Sequence, residues 1–510
     1  MKLLTTLQAG ILDNISLNNY SETGSPLMKN AGFCVSAQAR ILLQKIPNPE
    51  ILIICGKGNN GGDGFSAASI LDDNNYNVKV HSIIPENKIS GEGLEYFLEC
   101  KNKGVRISFG LVLENIRYPD LIIDGLFGTG FRKGMSSEIF SLIQWINQSD
   151  SQILAIDIPS GLNGDTGEIE SVAVKADMTI TFGHPKLGMV LRKGPEYCGQ
   201  IIEDDIGFPE ISEVELGGID WRRFSENTCK ELLKKPKIDN HKYTSGKVLV
   251  IAGSRGMTGA ALLSTNAALR SGVGLTLTTH PSSLNYIYET NITEGMTFGL
   301  PDKDQGFFNI SHFDLIMEKV QWADSVLIGP GLGRNKSTQT LIKKLVKSIE
   351  KPLVLDADGL FPYAGALNEL SNKGSPLIIT PHFGELSHLI NIEVETIISD
   401  FPKVIEYILK NFDHTLLIKQ VPVCTIKNNK AVINVSGNPG LATAGTGDIL
   451  SGIIAGFLAQ GLNGFNSASL GAFIHGKASD ELISSKGFRG QIASDLLEAL
   501  PSVISKYELL

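Results

Sequence analysis

The chain has 510 residues, more than a single domain of roughly 100–200 residues accommodates, and is 42% hydrophobic and 19% charged, the composition of a folded globular protein. A formal net charge of −9 excludes a non-specific nucleic-acid binder, and no apolar run approaches the roughly 20 residues of a membrane helix. Six scattered cysteines without a Cys-x-x-Cys pair, and an N-terminus without an uninterrupted apolar core, predict reduced thiols in a cytoplasmic protein that carries no signal peptide.

Short β-rich runs alternate with helical stretches along the whole chain. In the first half they cover residues 51–55, 78–84, 121–125, 153–158, 178–182 and 200–206. In the second they cover 247–252, 275–279, 325–328, 353–356, 377–380, 415–419 and 431–435. This alternation predicts an α/β protein with parallel sheets covered on both faces. Residues 208–245 carry two charged clusters, Trp221-Arg222-Arg223 and 230–237, and no strong strand. The domain boundary is placed there, giving domains of residues 1–220 and 225–510.

The first strand, 51–55, runs into Gly56-Lys57-Gly58-Asn59-Asn60-Gly61-Gly62-Asp63-Gly64, with a helix expected from Phe65. Gly56, Gly58 and Gly61 have the spacing and context of a dinucleotide turn. A hydride-transferring enzyme also wants an acid closing the second strand. That strand ends His81-Ser82-Ile83-Ile84-Pro85, with Glu86 only in the loop beyond, so a dehydrogenase is the weakest reading. Asn59, Asn60 and Asp63 suggest oxygen ligands instead. Two later strand ends add Asp124, before Gly125-Leu126-Phe127-Gly128-Thr129-Gly130-Phe131, and Asp157, before Ile158-Pro159-Ser160-Gly161. Ligands of doubly wound sheets lie beyond such carboxyl ends, where Asn60, Asp124 and Ser160 could converge. One carboxylate among neutral oxygens suits a monovalent cation better than a divalent one. The alternative is that Asp124 and Asp157 cap the turns that follow them.

In the second half, the strand at 247–252 enters Gly253-Ser254-Arg255-Gly256-Met257-Thr258-Gly259-Ala260. Later strand ends carry Gly329-Pro330-Gly331-Leu332-Gly333, Asp356-Ala357-Asp358 and Thr380-Pro381-His382-Phe383-Gly384-Glu385. The most informative stretch is Gly445-Thr446-Gly447-Asp448, followed by the apolar run 449–458, which predicts a buried helix. Free N–H groups at a helix start form an anion site. A lone carboxylate there makes chemical sense if it takes a proton from a group attacking a bound phosphate. Bland roles stand beside the site roles: His382 as a satisfied turn residue, Asp356 and Asp358 as turn caps, Lys419 as a snorkelling strand end.

The motifs at 58–64, 124–130 and 157–164, with Leu27-Met28-Lys29-Asn30-Ala31-Gly32, resemble the NAD(P)H-hydrate epimerase family over about residues 1–215; Lys29 stands where the family has Glu. The resemblance implies a Rossmann-like three-layer sandwich that epimerises NADHX and NADPHX, the coenzymes hydrated at C6. It implies potassium on Asn60, Asp124 and Ser160. It implies substrate contacts from Asn59, Asn60, Gly61, Gly62, Asp63, Gly128, Thr129, Gly130, Phe131, Arg132, Lys133, Gly134 and Asp157. Asp157 is the expected acid/base, and Lys186 a weaker candidate. The motifs of the second half resemble the NAD(P)H-hydrate dehydratase family, a ribokinase-like three-layer sandwich, over about 225–510. That resemblance implies ADP as co-substrate with Mg2+, and Asp448 as the base. It implies substrate contacts from Ala260, Gly333, His382 and Asp448, and nucleotide contacts from Lys419, Gln420, Val421, Pro422, Val423, Gly445, Thr446 and Gly447. Gln420 replaces a family glycine, a departure that bears on the choice between ADP and ATP. Together the halves resemble a bifunctional repair enzyme, with self-assembly into a homo-oligomer implied. The alternative is a vitamin or sugar kinase fused to a nucleotide-binding module.

Overall fold

The computed structural model describes residues 1–19, 26–111, 117–130, 134–210 and 214–508. The chain forms two compact units, Lys2–Gly218 and Met1 with Ile219–Leu510.

The N-terminal unit is built on a seven-stranded sheet. Its strands are β1 (Glu50–Cys55), β2 (Asn77–Ser82), β3 (Arg106–Phe109), β4 (Leu121–Gly125), β5 (Gln152–Ile156), β6 (Met178–Phe182) and β7 (Gln200–Asp204). Their order is β3-β2-β1-β4-β5-β6-β7, parallel throughout. The layering follows from the alternation of side chains along a strand. Ile51, Ile53 and Cys55 of β1 pack into one core with the helices Leu27–Leu43 and Asn59–Asp73, whereas Leu52 and Ile54 enter the other with the helix Ser137–Asn147. The chain reverses its direction of winding between β1 and β4, so the ligand crevice of such a sheet lies beyond their carboxyl ends.

The C-terminal unit holds a ten-stranded sheet. Its strands are β8 (Asp220–Arg223), β9 (Lys247–Ile251), β10 (Leu275–Pro281), β11 (Met296–Leu300), β12 (Ser325–Ile328), β13 (Leu353–Leu355), β14 (Leu377–Ile379), β15 (Thr415–Ile418), β16 (Val423–Lys427) and β17 (Lys430–Asn434). The order is β11-β10-β9-β12-β13-β14-β15-β16-β17-β8. Pairing is parallel except in the meander β15-β16-β17. The apolar run after Asp448 is the helix Thr446–Ala459, and its uniform hydrophobicity has a cause. Leu450, Ile454 and Leu458 pack toward the sheet, while Ile449, Ile453 and Phe457 pack under the helices Gly464–Lys486 and Ala493–Glu508. Small residues bring this helix against Thr258–Arg270: a Cβ on Gly452 would stand 2.3 Å from the carbonyl oxygen of Ser264.

Several elements differ from the sequence expectation. The helix after the first glycine loop begins at Asn59 rather than Phe65. Gly61 and Gly64 sit inside it because the helix meets Gly56 O and Cys55 Sγ too closely for a Cβ, at 2.1 and 2.8 Å. Strands β3, β8, β11 and β16 were not expected. Three of them are edge or near-edge segments whose alternation is blurred by exposure, as in β3, where none of the four residues is buried. Strand β8 includes the charged Trp221-Arg222-Arg223 cluster and exists through pairing with β17, some 200 residues away. The hairpin β15-β16 also makes the sheet mixed rather than wholly parallel.

Candidate functional sites

In the N-terminal unit, three loops meet at the switch point between β1 and β4. Gly56 N donates to Gly125 O at 2.9 Å, and a Cβ at Gly56 would stand 1.8 Å from Leu126 O; only glycine allows this approach. Gly58 has φ +102° and releases the chain into the helix that begins with Asn59 and Asn60. Asn60 is buried and donates from Nδ2 to Ile156 O at 2.9 Å. Its Oδ1 lies 2.8 Å from where a Cβ at Gly128 would be.

Asp124 is fully enclosed. Its Oδ1 accepts from Ser160 Oγ at 2.7 Å and Leu126 N at 3.2 Å, and its Oδ2 from Ser160 N at 2.8 Å. Burial pushes its carboxyl up to about 6 against those three hydrogen bonds. Asn60, Asp124 and Ser160 thus stand at three adjoining strand ends, one carboxylate among neutral oxygens. Among the described residues, no group of three or more His, Cys, Asp and Glu side chains could hold a metal ion.

Beside them lies a cavity of about 370 Å3. Asn59, Asn60, Asp63, Gly128, Thr129, Gly130 and Asp157 line it. Gly61 and Gly62 do not; they serve helix packing, Gly62 against Met28. Gly134, at φ +103°, lies off the cavity, and Phe131, Arg132 and Lys133 fall outside the described residues. Asp157 adopts φ +64°, a left-handed conformation uncommon for a residue with a side chain. Its Oδ1 accepts a short bond from the ammonium of Lys186, and longer ones from Thr181 Oγ1 and Phe182 N, at 3.3 and 3.4 Å. Lys186 is 3% exposed and also donates to Thr181 Oγ1 and Phe182 O. Such a buried pair is strongly destabilised by loss of either partner.

Sequence reasoning missed Asp13 as a wall residue of the cavity. Burial, with the nearby charge of Asp157, pushes its carboxyl up to about 6. A signal was present: Ala9, Asp13 and Leu17 fall at i, i+4 and i+8, and all three line the cavity.

In the C-terminal unit, the corresponding switch point separates β9 from β12. Gly253 N donates to Pro330 O at 2.8 Å and Ser254 Oγ to Gly331 O at 2.8 Å. Gly331 stands so close to Ala260 that a Cβ there would be 2.9 Å away. Gly333 N donates to Asp358 Oδ2 at 2.9 Å, which gives Asp358 a positioning role for the loop. Met257 thus lies against both Gly331, which adjoins Ala260, and Gly333.

Gly445, at φ +89°, caps the helix that starts at Thr446 and places Asp448 in its first turn. Burial raises the Asp448 carboxyl to about 6, with Asp356 adding to the rise and Lys419 opposing it. Lys419 donates to Asp356 Oδ1 at 2.6 Å and lies 3.9 Å from Glu385 Oε2. Burial pulls its ammonium down, but the charges of Asp356 and Glu385 outweigh this and hold it above the usual range. Its Nζ would stand 3.6 Å from a Cβ on Gly447, so this ammonium lies against the glycine turn at residues 445–447. The other Asp356 oxygen is buried without a partner among the described residues.

His382 is the N-cap of the helix Phe383–Ile390: its Nδ1 accepts from Gly384 N and Glu385 N, while Glu385 accepts from His382 N. Its ring nevertheless remains exposed toward solvent, and Lys419 N donates to Pro381 O beside it. Gln420, Val421 and Pro422 form the turn out of β15, with Val421 exposed, and Val423 opens β16. Thr446 directs its hydroxyl to Leu441 O and Thr443 O.

Residues 24–188 match the family described as YjeF-related protein N-terminus, and residues 248–502 match the family described as NAD(P)H-hydrate dehydratase. The bifunctional NAD(P)H-hydrate repair enzyme of Moorella thermoacetica is 35% identical, over 100% of this chain and 97% of its own length. That of Coxiella burnetii is 34% identical over 94% of each chain. Among solved structures, a ribokinase-like superfamily protein from Enterococcus faecalis is similar over 56% of this chain and 96% of its own, at 26% identity and a TM-score of 0.48. With both families matched and relatives aligned along nearly its entire length, the chain belongs to the bifunctional NAD(P)H-hydrate repair enzymes.

Proposed function

We propose that this chain repairs hydrated nicotinamide coenzymes in two steps. Its N-terminal unit, assigned as the epimerase domain, interconverts the R and S forms of NADHX and NADPHX at C6. Its C-terminal unit, the dehydratase domain, returns the S form to NADH or NADPH while converting ADP to AMP and phosphate. The observation that carries this reading is Asp448, a carboxylate in the first turn of a buried helix, with Lys419 against the same turn.

In the dehydratase site Asp448 takes the proton of the C6 hydroxyl, and the oxygen attacks the terminal phosphorus of ADP. The N–H groups of residues 445–447 and the Lys419 ammonium bind the charge that develops on phosphate. The phosphorylated oxygen then leaves with its bonding pair, expelled by the ring nitrogen, and loss of a C5 proton restores the dihydropyridine. Ala260, Gly333 and His382 border the hydrated ring. The segment 419–423 faces the nucleotide. Mg2+ would accompany the nucleotide and would supply positive charge to its phosphates.

In the epimerase site Asp157 is the acid/base, held by Lys186, and Asn59, Asp63, Gly128, Thr129 and Gly130 contact the substrate. Asn60, Asp124 and Ser160 would hold potassium, which supplies positive charge beside the enclosed Asp124. The reading includes a cytoplasmic location, in keeping with six free cysteines, and a homo-oligomeric assembly.

The test is recovery of dihydronicotinamide absorbance from mixed NADHX epimers with ADP, Mg2+ and potassium, corrected for spontaneous epimerisation. Full recovery is expected, with one phosphate released per NADH. Asp448→Asn abolishes recovery, and Asp157→Asn limits it to the S fraction. No recovery with ADP or ATP would overturn the assignment.

A further inference from the structure

We infer that Asp13 is a second catalytic residue of the epimerase site, the proton donor that works opposite the Asp157 base. The inference rests on the epimerase reading above and deepens it. The helix Thr6–Asn19 is anchored beside this site at its N-terminal entry. Thr6 N and Oγ1 donate to the Asp165 carboxylate at 2.6 and 2.7 Å. Leu4 N donates to Pro185 O, and Leu187 N to Leu4 O, so the chain entering the helix is stitched on either side of Lys186. Ala9 and Leu12 are buried in an apolar cluster with Leu4 and Leu216. An acid on the next turn of that buried face is costly to place unless it has a task there.

The charges around the cavity show what the task is. Asp157, Asp63, Glu92, Lys57 and Lys186 face it together with Asp13. Lys186 is committed to Asp157. Asp63 is enclosed, and burial with the charges of Asp157 and Asp13 raises its carboxyl well above the usual range. Burial and the charge of Asp157 push Asp13 up to about 6, against the opposing charge of Lys186. Asp157, bonded to an ammonium, and Asp13, on a different element of the same cavity, are placed as one carboxyl to take a proton and one to give it.

The chemistry needs such a pair. C6 of the hydrate bears both a hydroxyl and the ring nitrogen N1, and inversion requires one of these bonds to break and re-form. Asp157 takes the hydroxyl proton, and the O–H electron pair becomes the second bond of a C6 aldehyde. The C6–N1 bond breaks with its pair on N1, and Asp13 delivers a proton there. Rotation about C5–C6 presents the other aldehyde face; in the reverse steps N1 attacks C6 and gives its proton back to Asp13, while Asp157 returns its proton to the C6 oxygen. Nothing is oxidised or reduced, and no further reactant is consumed.

The test is epimer interconversion by the full chain, started from pure S-NADHX without ADP and read by chromatography. Asp13→Asn is expected to lower kcat by about a hundredfold or more, the usual range for a lost proton donor, with KM within a fewfold of the parent. Asp13→Ala should regain part of its rate with added acetic acid buffer, and Asp13→Glu should retain activity. Asp13→Asn with an unchanged kcat would overturn the inference. So would a loss that appears as raised KM without rescue by acetic acid, since that marks a structural residue. A parent protein that does not exceed the spontaneous rate would instead refute the epimerase reading itself.

Discussion

Replacing Asp448 with asparagine should inactivate the dehydratase site and at the same time make the C-terminal unit more stable. Burial raises the Asp448 carboxyl from 3.8 to about 6, more than Lys419 lowers it. A folded-state value above the unfolded one means that the unfolded chain ionises first. The group therefore contributes stability that is fully present below pH 3.8 and is lost as pH rises through about 6. Above pH 6 the ionised carboxylate disfavours the fold by about 3 kcal/mol, from a rise of about two pH units at roughly 1.4 kcal/mol each. Asparagine is nearly isosteric and does not ionise, so Asp448→Asn should gain about 2–3 kcal/mol at pH 7.5.

The assay is urea unfolding of the full chain in a Trp145→Phe background, which leaves Trp221 and Trp322, both in the C-terminal unit, as fluorescence reporters. The gain should shrink as pH is lowered through 6 and vanish near pH 4. Destabilisation at pH 7.5, or a gain independent of pH, would refute the assignment of Asp448 as a buried and electrostatically strained base.

Dehydratase kcat/KM should fall about tenfold per pH unit below pH 6 and level off above it, because the base must be ionised; a flat profile between pH 5 and 7 would exclude Asp448 as the titrating base. Lys419→Met should raise the KM for ADP and destabilise the C-terminal unit by about 3–5 kcal/mol, since it strands the buried Asp356 carboxylate. Adding Asp356→Asn should recover most of that stability but not the KM, a difference visible by urea unfolding and steady-state kinetics on the same samples. Gly56→Ala should destabilise the N-terminal unit by at least about 1–3 kcal/mol, because its Cβ would enter the space of Leu126 O. A melting profile of that unit unchanged from the parent would show that the two loops can part.

Much of the site was legible in sequence because parallel strands announce themselves. Runs such as Ile51-Leu52-Ile53-Ile54 and Leu353-Val354-Leu355 are buried on both faces and stay apolar without alternation. The residues just beyond their carboxyl ends are the ones a doubly wound sheet offers to ligands. Glycines marked the rest: Gly56, Gly331 and Gly445 stand where backbone approach or a positive φ admits little else. Asn60, Asp124, Asp157, Ser160 and Asp448 were therefore visible one strand end at a time. Elements stabilised by distant partners were not visible. Strand β8 carries a charged sequence, and its pairing with β17 crosses some 200 residues. The helical state of Asn59-Asn60-Gly61-Gly62 contradicts local propensity and is imposed by packing against Gly56, Cys55 and Met28.

The sequence by itself determined the kind of chemistry present: which strand ends carry glycines, which carry acids, and that a carboxylate stands at the start of an apolar helix. Those are local facts, set by backbone sterics and by hydrophobic period. Only the tertiary structure decided which charges meet. Lys186 closes on Asp157 across 29 residues, Lys419 on Asp356 across 63, and Asp13 reaches the same cavity from a helix outside every motif. Protonation at these sites is a property of such meetings. Burial and opposing charge change the free energy of ionisation only when the groups share one low-dielectric space, and folding alone brings residues so distant in sequence into it.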